Sequence, residues 1–222
     1  MTPTDGIRGG ALLAGLLALS APAAAQDRPV FPPTRDVAVT YQADIAAAGA
    51  PHAIVMRYSA ARDRARLDGG LPGYVLVDLK SRHSTIVFEQ MGMMMDAPRN
   101  AGVDQALVLE NGRNFARLGS DTVAGLRCTV WAVTADDATG TACVTADGVV
   151  LRARGHDRKG RAASLEATSV QYEPQAEALF SPPPTMHKVT IAAGPGGGKG
   201  LSDLLSGPAA AAVLNRLRGG QP

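Results

Sequence analysis

Cysteine, histidine and aromatic residues are scarce in this chain of 222 residues, and charge of one sign is nearly balanced by the other. Two cysteines, Cys128 and Cys143, are too few on their own to make a good zinc site. The formal net charge of +2 excludes the strong global field that attracts nucleic acid. No segment holds the roughly 18 consecutive apolar residues of a membrane-spanning helix, so we expect no transmembrane segment.

Motifs of enzymatic sites are also missing. The sequence contains no G-x-S-x-G and no H-E-x-x-H. Its closest approach to a phosphate-binding loop is GPGGGKG, in which Gly200 follows Lys199 where a Mg²⁺-binding Ser or Thr is required. We therefore expect a protein that is not an enzyme, with no catalytic residue and no cofactor.

Residues 1–25 have the features of a cleaved secretory signal peptide. Arg8 precedes the apolar run Ala11–Leu19, and Ala23 and Ala25 fit the A-x-A rule for cleavage before Gln26. The run is too short to cross a bilayer as a helix. The sequence thus predicts an exported, periplasmic protein.

The two cysteines lie in the part predicted to be exported, where an oxidising compartment favours pairing. Cys128 and Cys143 bracket a predicted hairpin, in which antiparallel strands can hold two cysteines at bridging distance. They lack the C-x-x-C spacing of redox-active pairs. We predict a structural disulfide.

Apolar and polar residues alternate with the period of half-buried strands through most of the chain. After a proline-rich lead-in at residues 26–36, Gly- and Asp-rich turns separate short segments of this kind, which predicts an antiparallel sheet or barrel over residues 37–193. The polar run ARDRARLDGGLPG is expected to end a strand and turn the chain. The segments with strand character are DVAVTYQADI, AIVMRYSA, YVLVDL, STIVFEQMGMMM, GLRCTVWAV, TACVT, VVLRAR, ASLEATSVQYEP and KVTIA.

Two segments have helical features instead. Val103, Ala106, Leu107 and Glu110 lie at helical spacing, which predicts a short helix packed across one end of the sheet. Residues 194–222 begin as a Gly-rich linker and continue into a predicted C-terminal helix, Pro208–Arg218. We expect this tail to be a helix or to be disordered.

Four of the seven methionines fall between Met91 and Met95, on what the alternation predicts to be one strand. Met91, Met93 and Met95 would then share a face and Met94 would point the other way. Three interpretations remain open: a packed core, a wall that accepts apolar ligands, or a Cu(I) site formed by Met91, Met93, Met94 and Met95. Alternate residues lie about 7 Å apart on a strand, which is wide for one ion.

The order of these features resembles the periplasmic LolA and LolB lipoprotein-localisation superfamily, above all its uncharacterised exported members. The resemblance rests on the early strands, the hairpin YVLVDLKSRHSTIVFEQMGMMM, the G-x-x-C-T-V-W-x-V strand and the segment ending at LFSPPP, from about Val37 to Val189. It implies a mainly β fold, an open, curved antiparallel half-barrel with short covering helices and a concave face that can hold acyl chains. The arginine with which the carriers engage their cargo has no match here, so lipoprotein carriage is not implied.

The leading hypothesis is a periplasmic half-barrel that binds a hydrophobic or lipid-like small molecule. Two alternatives stay open: a Met-rich copper-binding protein, and an envelope protein that binds a protein partner through its C-terminal helix. The residues predicted to face the ligand are Val75, Val77, Ile86, Phe88, Met91, Met93 and Trp131.

Overall fold

The computed structural model describes residues 28–45, 51–69, 72–97, 114–135, 138–157, 160 and 162–189. The predicted signal peptide, the helix expected between residues 101 and 112, and the linker with its C-terminal helix lie outside these residues. Among the described residues, no helix is long and apolar enough to span a membrane.

Twelve strands and two short 3₁₀ helices make up the described secondary structure. The 3₁₀ helices are Glu89–Met91 and Glu177–Phe180. The strands are β1 (Val37–Ile45), β2 (His52–Ser59), β3 (Arg64–Asp68), β4 (Tyr74–Asp78), β5 (His83–Phe88), β6 (Met93–Asp96), β7 (Asn114–Val123), β8 (Leu126–Thr134), β9 (Ala138–Val144), β10 (Val150–Asp157), β11 (Ala162–Gln171) and β12 (His187–Lys188).

All twelve strands belong to one open sheet of order β12-β6-β5-β4-β3-β2-β1-β11-β10-β9-β8-β7. Two meanders, β1 to β6 and β7 to β11, are joined by the pairing of β1 with β11. At this seam Thr168 Oγ1 donates to the Thr40 carbonyl, 128 residues away in sequence. Every pair is antiparallel except β12 with β6, which is parallel. The predicted mainly β, open and curved sheet is therefore confirmed.

Two strands were not predicted. Residues 64–68, expected to be a turn, form β3, because their charged side chains are paired by neighbouring strands. Arg57 on β2 forms an ion pair with Asp68 at 2.8 Å, and Asp78 on β4 forms one with Arg64 at 3.1 Å. The second missed strand is the edge strand β7, where only Phe115 and Val123 are not exposed.

The register of β1 to β6 is free of bulges and separates two faces. We call one the main-core face, since its side chains form the largest buried cluster; it includes Val39, Val75 and Ile86. We call the other the strap face, on which Tyr74 and Val87 pack with a smaller set of residues.

The C-terminal strap, residues 172–189, follows β11 and crosses the strap face toward β6. The Gln175 amide donates to Asp36 Oδ2 at 2.9 Å, and Arg62 forms an ion pair with Glu177 at 2.8 Å. Further along, Met186 packs with Met94 against the strap-face cluster. Tyr172, at the start of the strap, packs against the main core, whereas the strap from Gln175 onward contacts the strap face.

Cys128 on β8 and Cys143 on β9 form a disulfide with a Cα–Cα distance of 5.4 Å. Both residues are buried in the main core. The predicted disulfide is confirmed. Because both cysteines are buried, we interpret it as a structural link.

Candidate functional site

Four of the predicted ligand-facing residues come together on the main-core face. Val75 on β4 lies directly opposite Ile86 on β5, with Val77 and Phe88 further along the same strands. All four are buried and belong to the main core. They form the floor of the candidate site, and the accessible residues of this face lie elsewhere.

Val75 and Ile86 also belong to a continuous row of apolar residues that crosses the strands. Consecutive members are direct register partners, so the row extends about 29 Å at about 4.8 Å per strand spacing. We call it the apolar stripe; its members from β11 to β6 are Val170, Val39, Met56, Leu67, Val75, Ile86 and Met95. Met56, Leu67, Met95 and Val170 are only partly buried, and all pack against the main core.

Asp and Arg side chains are absent from this face of strands β1 to β6. In β1 to β6 every Asp and Arg lies at a register position of the strap face, where side chains alternate away from the stripe. Arg64 with Asp78 at 3.1 Å and Arg66 with Asp68 at 2.8 Å are examples. The main-core face of these strands therefore offers apolar contact with no fixed ionic partner.

Two tyrosine hydroxyls of the main core are hydrogen-bonded: that of Tyr58 donates to Asp63 Oδ1 at 2.8 Å, and that of Tyr41 links two distant strands. Tyr41 is 3% exposed, and its hydroxyl donates to the Val150 carbonyl at 2.8 Å. Burial raises the pKa of this phenol well above its usual range, so it stays neutral. Its role is structural, because it links β1 to β10 behind the stripe.

The methionine-rich segment is not one strand, and that prediction was wrong. Glu89–Met91 forms a 3₁₀ turn, and Gly92 takes a left-handed conformation with φ 60 that turns the chain back. β6 then pairs antiparallel with β5, so that Met93 lies opposite Phe88. A residue other than glycine adopts this conformation at a cost, which explains why the turn falls at Gly92.

The turn separates the four methionines. Met95 and Met91 pack against the main core, whereas Met94 packs on the strap face with Met186. Met93 shares the face of Met95 by strand alternation. A single metal ion therefore cannot be bound by all four thioethers; Met91, Met93 and Met95 are the three that remain on one side. Within the described ranges, no three His, Cys, Asp or Glu residues are grouped as metal ligands.

Trp131 is not part of this site. It lies on β8, on the opposite side of that strand from Cys128 and Val130, and six strands separate it from β4. Trp131 packs in a separate cluster with Val133, Ala142 and Val144, to which Phe31 and Phe115 are added. The structure thus groups six of the seven predicted residues near the stripe and places the seventh elsewhere.

Five of the seven stripe members were not among the residues predicted to face the ligand: Val39, Met56, Leu67, Met95 and Val170. Met56 and Leu67 show what signal the sequence did and did not offer. Met56 has the alternation of AIVMRYSA as a signal, since it shares a strand face with Tyr58. The sequence offers no such signal for Leu67, because this residue lies in the charged segment of β3. Only the pairing of β3 with β2 and β4 brings Leu67 between Met56 and Val75.

No family model and no curated relative matches this chain. Solved structures resemble it at low identity. An uncharacterized conserved protein from Thermus thermophilus matches with a TM-score of 0.50 and 12% identity, over 71% of this chain and 91% of that chain. The MucA/MucB complex of Pseudomonas aeruginosa matches with a TM-score of 0.41 and 16% identity, over 71% of this chain and 59% of that chain.

A putative outer membrane lipoprotein-sorting protein domain from Vibrio parahaemolyticus is also similar. Its TM-score is 0.34 at 12% identity, over 66% of this chain and 89% of that chain. A lipoprotein-sorting protein domain is thus among the structures that are similar to this chain, and at these identities the likeness is one of fold alone.

Proposed function

We propose that this chain is an exported, periplasmic protein that binds a hydrophobic or lipid-like ligand along the apolar stripe and catalyses no reaction. The observation that carries the proposal is the stripe itself. It crosses seven strands without a charged neighbour on its face in β1 to β6, and several of its members keep accessible surface.

The chemistry of the stripe favours an elongated aliphatic ligand. Each methylene removed from water contributes about 0.8 kcal/mol, so a long chain gains affinity in proportion to the length that it buries. Met56 and Met95 add flexible thioethers, which adapt to ligands of varied shape. Because the main-core face of strands β1 to β6 carries no Asp or Arg, binding along the stripe gains little from a charged head group.

The proposed location rests on two supports. The N-terminal segment has the pattern of a signal peptide. The buried Cys128–Cys143 disulfide is the kind of bond that persists in an oxidising compartment.

Adjacent methionines on β6 provide a matched test. Met95→Gln places an amide in the stripe, and Met94→Gln makes the same change on the strap face. Titration with a fluorescent fatty acid should show affinity reduced about tenfold or more in Met95→Gln, since a polar amide within an apolar contact costs about 1–3 kcal/mol. Met94→Gln should bind as the unmodified protein does.

Native mass spectrometry of protein released gently from the periplasm should show a bound apolar molecule. The proposal would be contradicted if the protein is released without a bound ligand and also does not bind fluorescent fatty acids. Equal loss of affinity in both methionine variants would mean that the stripe is not the binding surface.

Copper binding is the second candidate, and the turn at Gly92 favours it. The turn brings Met91 against the same core as Met95, so these thioethers need not be spaced along one strand. Titration with Cu(I) against a competing chelator tests this. Affinity should fall when Met91, Met93 and Met95 are changed to Leu and should survive Met94→Leu; unchanged affinity in the triple variant excludes the site.

A further inference from the structure

A small cleft lies between the C-terminal strap and the ends of β3, β4 and β5, on the strap face. Its volume is about 180 Å³. Leu76 of β4 and Phe180 and Pro182 of the strap supply apolar walls. Binding sites for drug-sized molecules typically measure about 300–1,000 Å³, so this cleft suits a smaller molecule.

One guanidinium lines the cleft with its terminal nitrogens available. Arg64 Nε donates to Asp78 Oδ2 at 3.1 Å, and the Ser81 amide donates to Asp78 Oδ1 at 2.8 Å. The Asp78 carboxylate thereby holds the Arg64 side chain in place through the Nε atom of Arg64. Among the described residues, no protein group accepts a hydrogen bond from the two terminal nitrogens of Arg64. The Arg64 side chain is 43% exposed, so a ligand can reach them.

The geometry of a guanidinium held in this way selects a carboxylate. Its two terminal nitrogens form a planar fork that donates two parallel hydrogen bonds to the two oxygens of one carboxylate. Because Asp78 already balances the charge of Arg64, one added negative charge is accommodated more readily than two. Thr85 also lines the cleft and supplies a further polar group beside the fork, and His83, whose Nε2 is hydrogen-bonded to Asp96 Oδ1 at 3.0 Å, lines it as well.

We propose that this cleft binds a small monocarboxylic acid, with its carboxylate on Arg64 and its short apolar chain against Leu76, Phe180 and Pro182. The site lies on the face opposite the apolar stripe and does not rest on the function proposed for the stripe.

Hexanoate is the probe for this site, and 1-hexanol and acetate are its comparators. The full chain is titrated with each, and binding is followed by the NMR shifts of the Thr85 and Phe180 amides and of the Met56 and Met95 methyl groups. Hexanoate should shift both. Hexanol, which keeps the chain without the charge, and acetate, which keeps the charge without the chain, should each bind at least tenfold more weakly.

Arg64→Gln should weaken hexanoate binding at least tenfold. Arg154→Gln is the matched control, because Arg154 is an exposed arginine paired with Glu166 on another part of the sheet, and it should leave the affinity unchanged. Should Arg64→Gln fail to fold, Pro182→Glu tests the same site by placing a negative charge in the cleft while Arg64 and Asp78 stay intact.

Three results would overturn the proposal: hexanol binding as tightly as hexanoate, Arg64→Gln or Pro182→Glu binding hexanoate normally, or shifts confined to the methyl groups of Met56 and Met95. The last result would place the acid on the apolar stripe and would leave the function proposed there standing.

Discussion

Arg35 Nε donates a hydrogen bond to Asp147 Oδ2 at 2.7 Å, and the same guanidinium lies 3.5 Å from the centre of the Tyr172 ring. The hydroxyls of Thr145 and Tyr172 both donate to the other carboxylate oxygen, Oδ1. The Thr34 amide also donates to the Asp147 carbonyl at 2.9 Å. One carboxylate therefore holds together the lead-in, the turn between β9 and β10, and the first residue of the strap.

Asp147→Asn should lower the free energy of unfolding by about 1–3 kcal/mol. The amide keeps one acceptor oxygen but loses the charge that strengthens its hydrogen bonds, and one donor is left without an acceptor. Urea unfolding measures the loss. Glu166→Gln, which breaks an exposed pair with Arg154, is the control and should change stability by less than about 0.5 kcal/mol.

The effect of Asp147→Asn should depend on pH. Burial raises the pKa of Asp147, but hydrogen bonds from Thr145, Arg35 and Tyr172 outweigh it, and the net pKa is lowered. The stability from this ionised carboxylate is thus fully present above its unfolded pKa of about 3.9 and is lost as the pH falls through the lower folded pKa. The difference between the two proteins should be largest near neutrality and should shrink below about pH 4. A difference that stays constant from neutral to acid pH would show that the charge contributes nothing.

Removal of the disulfide should lower the free energy of unfolding by about 3 kcal/mol and leave the fold intact. The bond closes a loop with a sequence separation of 15 residues, for which the chain-entropy model gives that value. The double variant Cys128→Ala and Cys143→Ala should unfold at lower denaturant concentration than the oxidised protein and should not respond to reductant. If reductant leaves the unmodified protein unchanged, the bond does not contribute to stability.

Two glycines near the methionine turn should differ in their tolerance of alanine. Gly92 has φ 60 with open space where a Cβ would stand, so Gly92→Ala should cost only the left-handed strain of about 1–2 kcal/mol. Gly73 has φ 151, and its Cβ would meet the Val87 carbonyl oxygen at 2.1 Å. In Gly73→Ala the backbone must therefore shift to relieve this contact. We expect its thermal unfolding temperature to fall clearly further than that of Gly92→Ala. Equal losses would contradict the close approach of Gly73 to β5.

The start of the strap depends on Asp36. Its two carboxylate oxygens accept separately, Oδ1 from the Ala60 amide at 2.8 Å and Oδ2 from the Gln175 amide at 2.9 Å. Asp36→Asn leaves one of these amides without an acceptor, and that amide should exchange hydrogen about 5–10-fold faster, as expected for the loss of about 1 kcal/mol. Asp44→Asn, at an exposed position on β1, should leave both amides unchanged.

Much of the sheet follows from alternation, because a strand with one buried face carries a period-2 pattern. β1 is the clear example, since Val37 and Val39 are fully buried and alternate with more accessible residues. β4 is buried on both faces, and its continuous apolar run identified it instead. The disulfide was predicted from the hairpin that the two cysteines bracket and from the oxidising compartment, whereas the open, curved form of the sheet was implied by the family resemblance. The four buried residues of the candidate site lie on β4 and β5, which were found as two apolar segments around a polar turn.

The rest depends on contacts between segments that are distant in sequence. β3 is polar when taken alone, and it becomes a strand because Arg57 and Asp78 on its neighbours pair with its charges. β7 carries no apolar alternation, since both its faces are largely exposed, and Leu118 is 60% exposed. Trp131 was assigned to the site because periodicity identifies a buried side without identifying the cluster that buries it.

The position of β1 in the strand order has a consequence for how the chain folds. β1 is the first strand in sequence, yet it lies in the middle of the sheet between β2 and β11. Its second neighbour is among the last strands to be synthesised, so one edge of β1 stays unpaired until the second meander has formed. Contacts of such high sequence separation slow folding, and an unpaired strand edge is a template for association with other chains. The step most exposed to aggregation is therefore the docking of β11 onto β1.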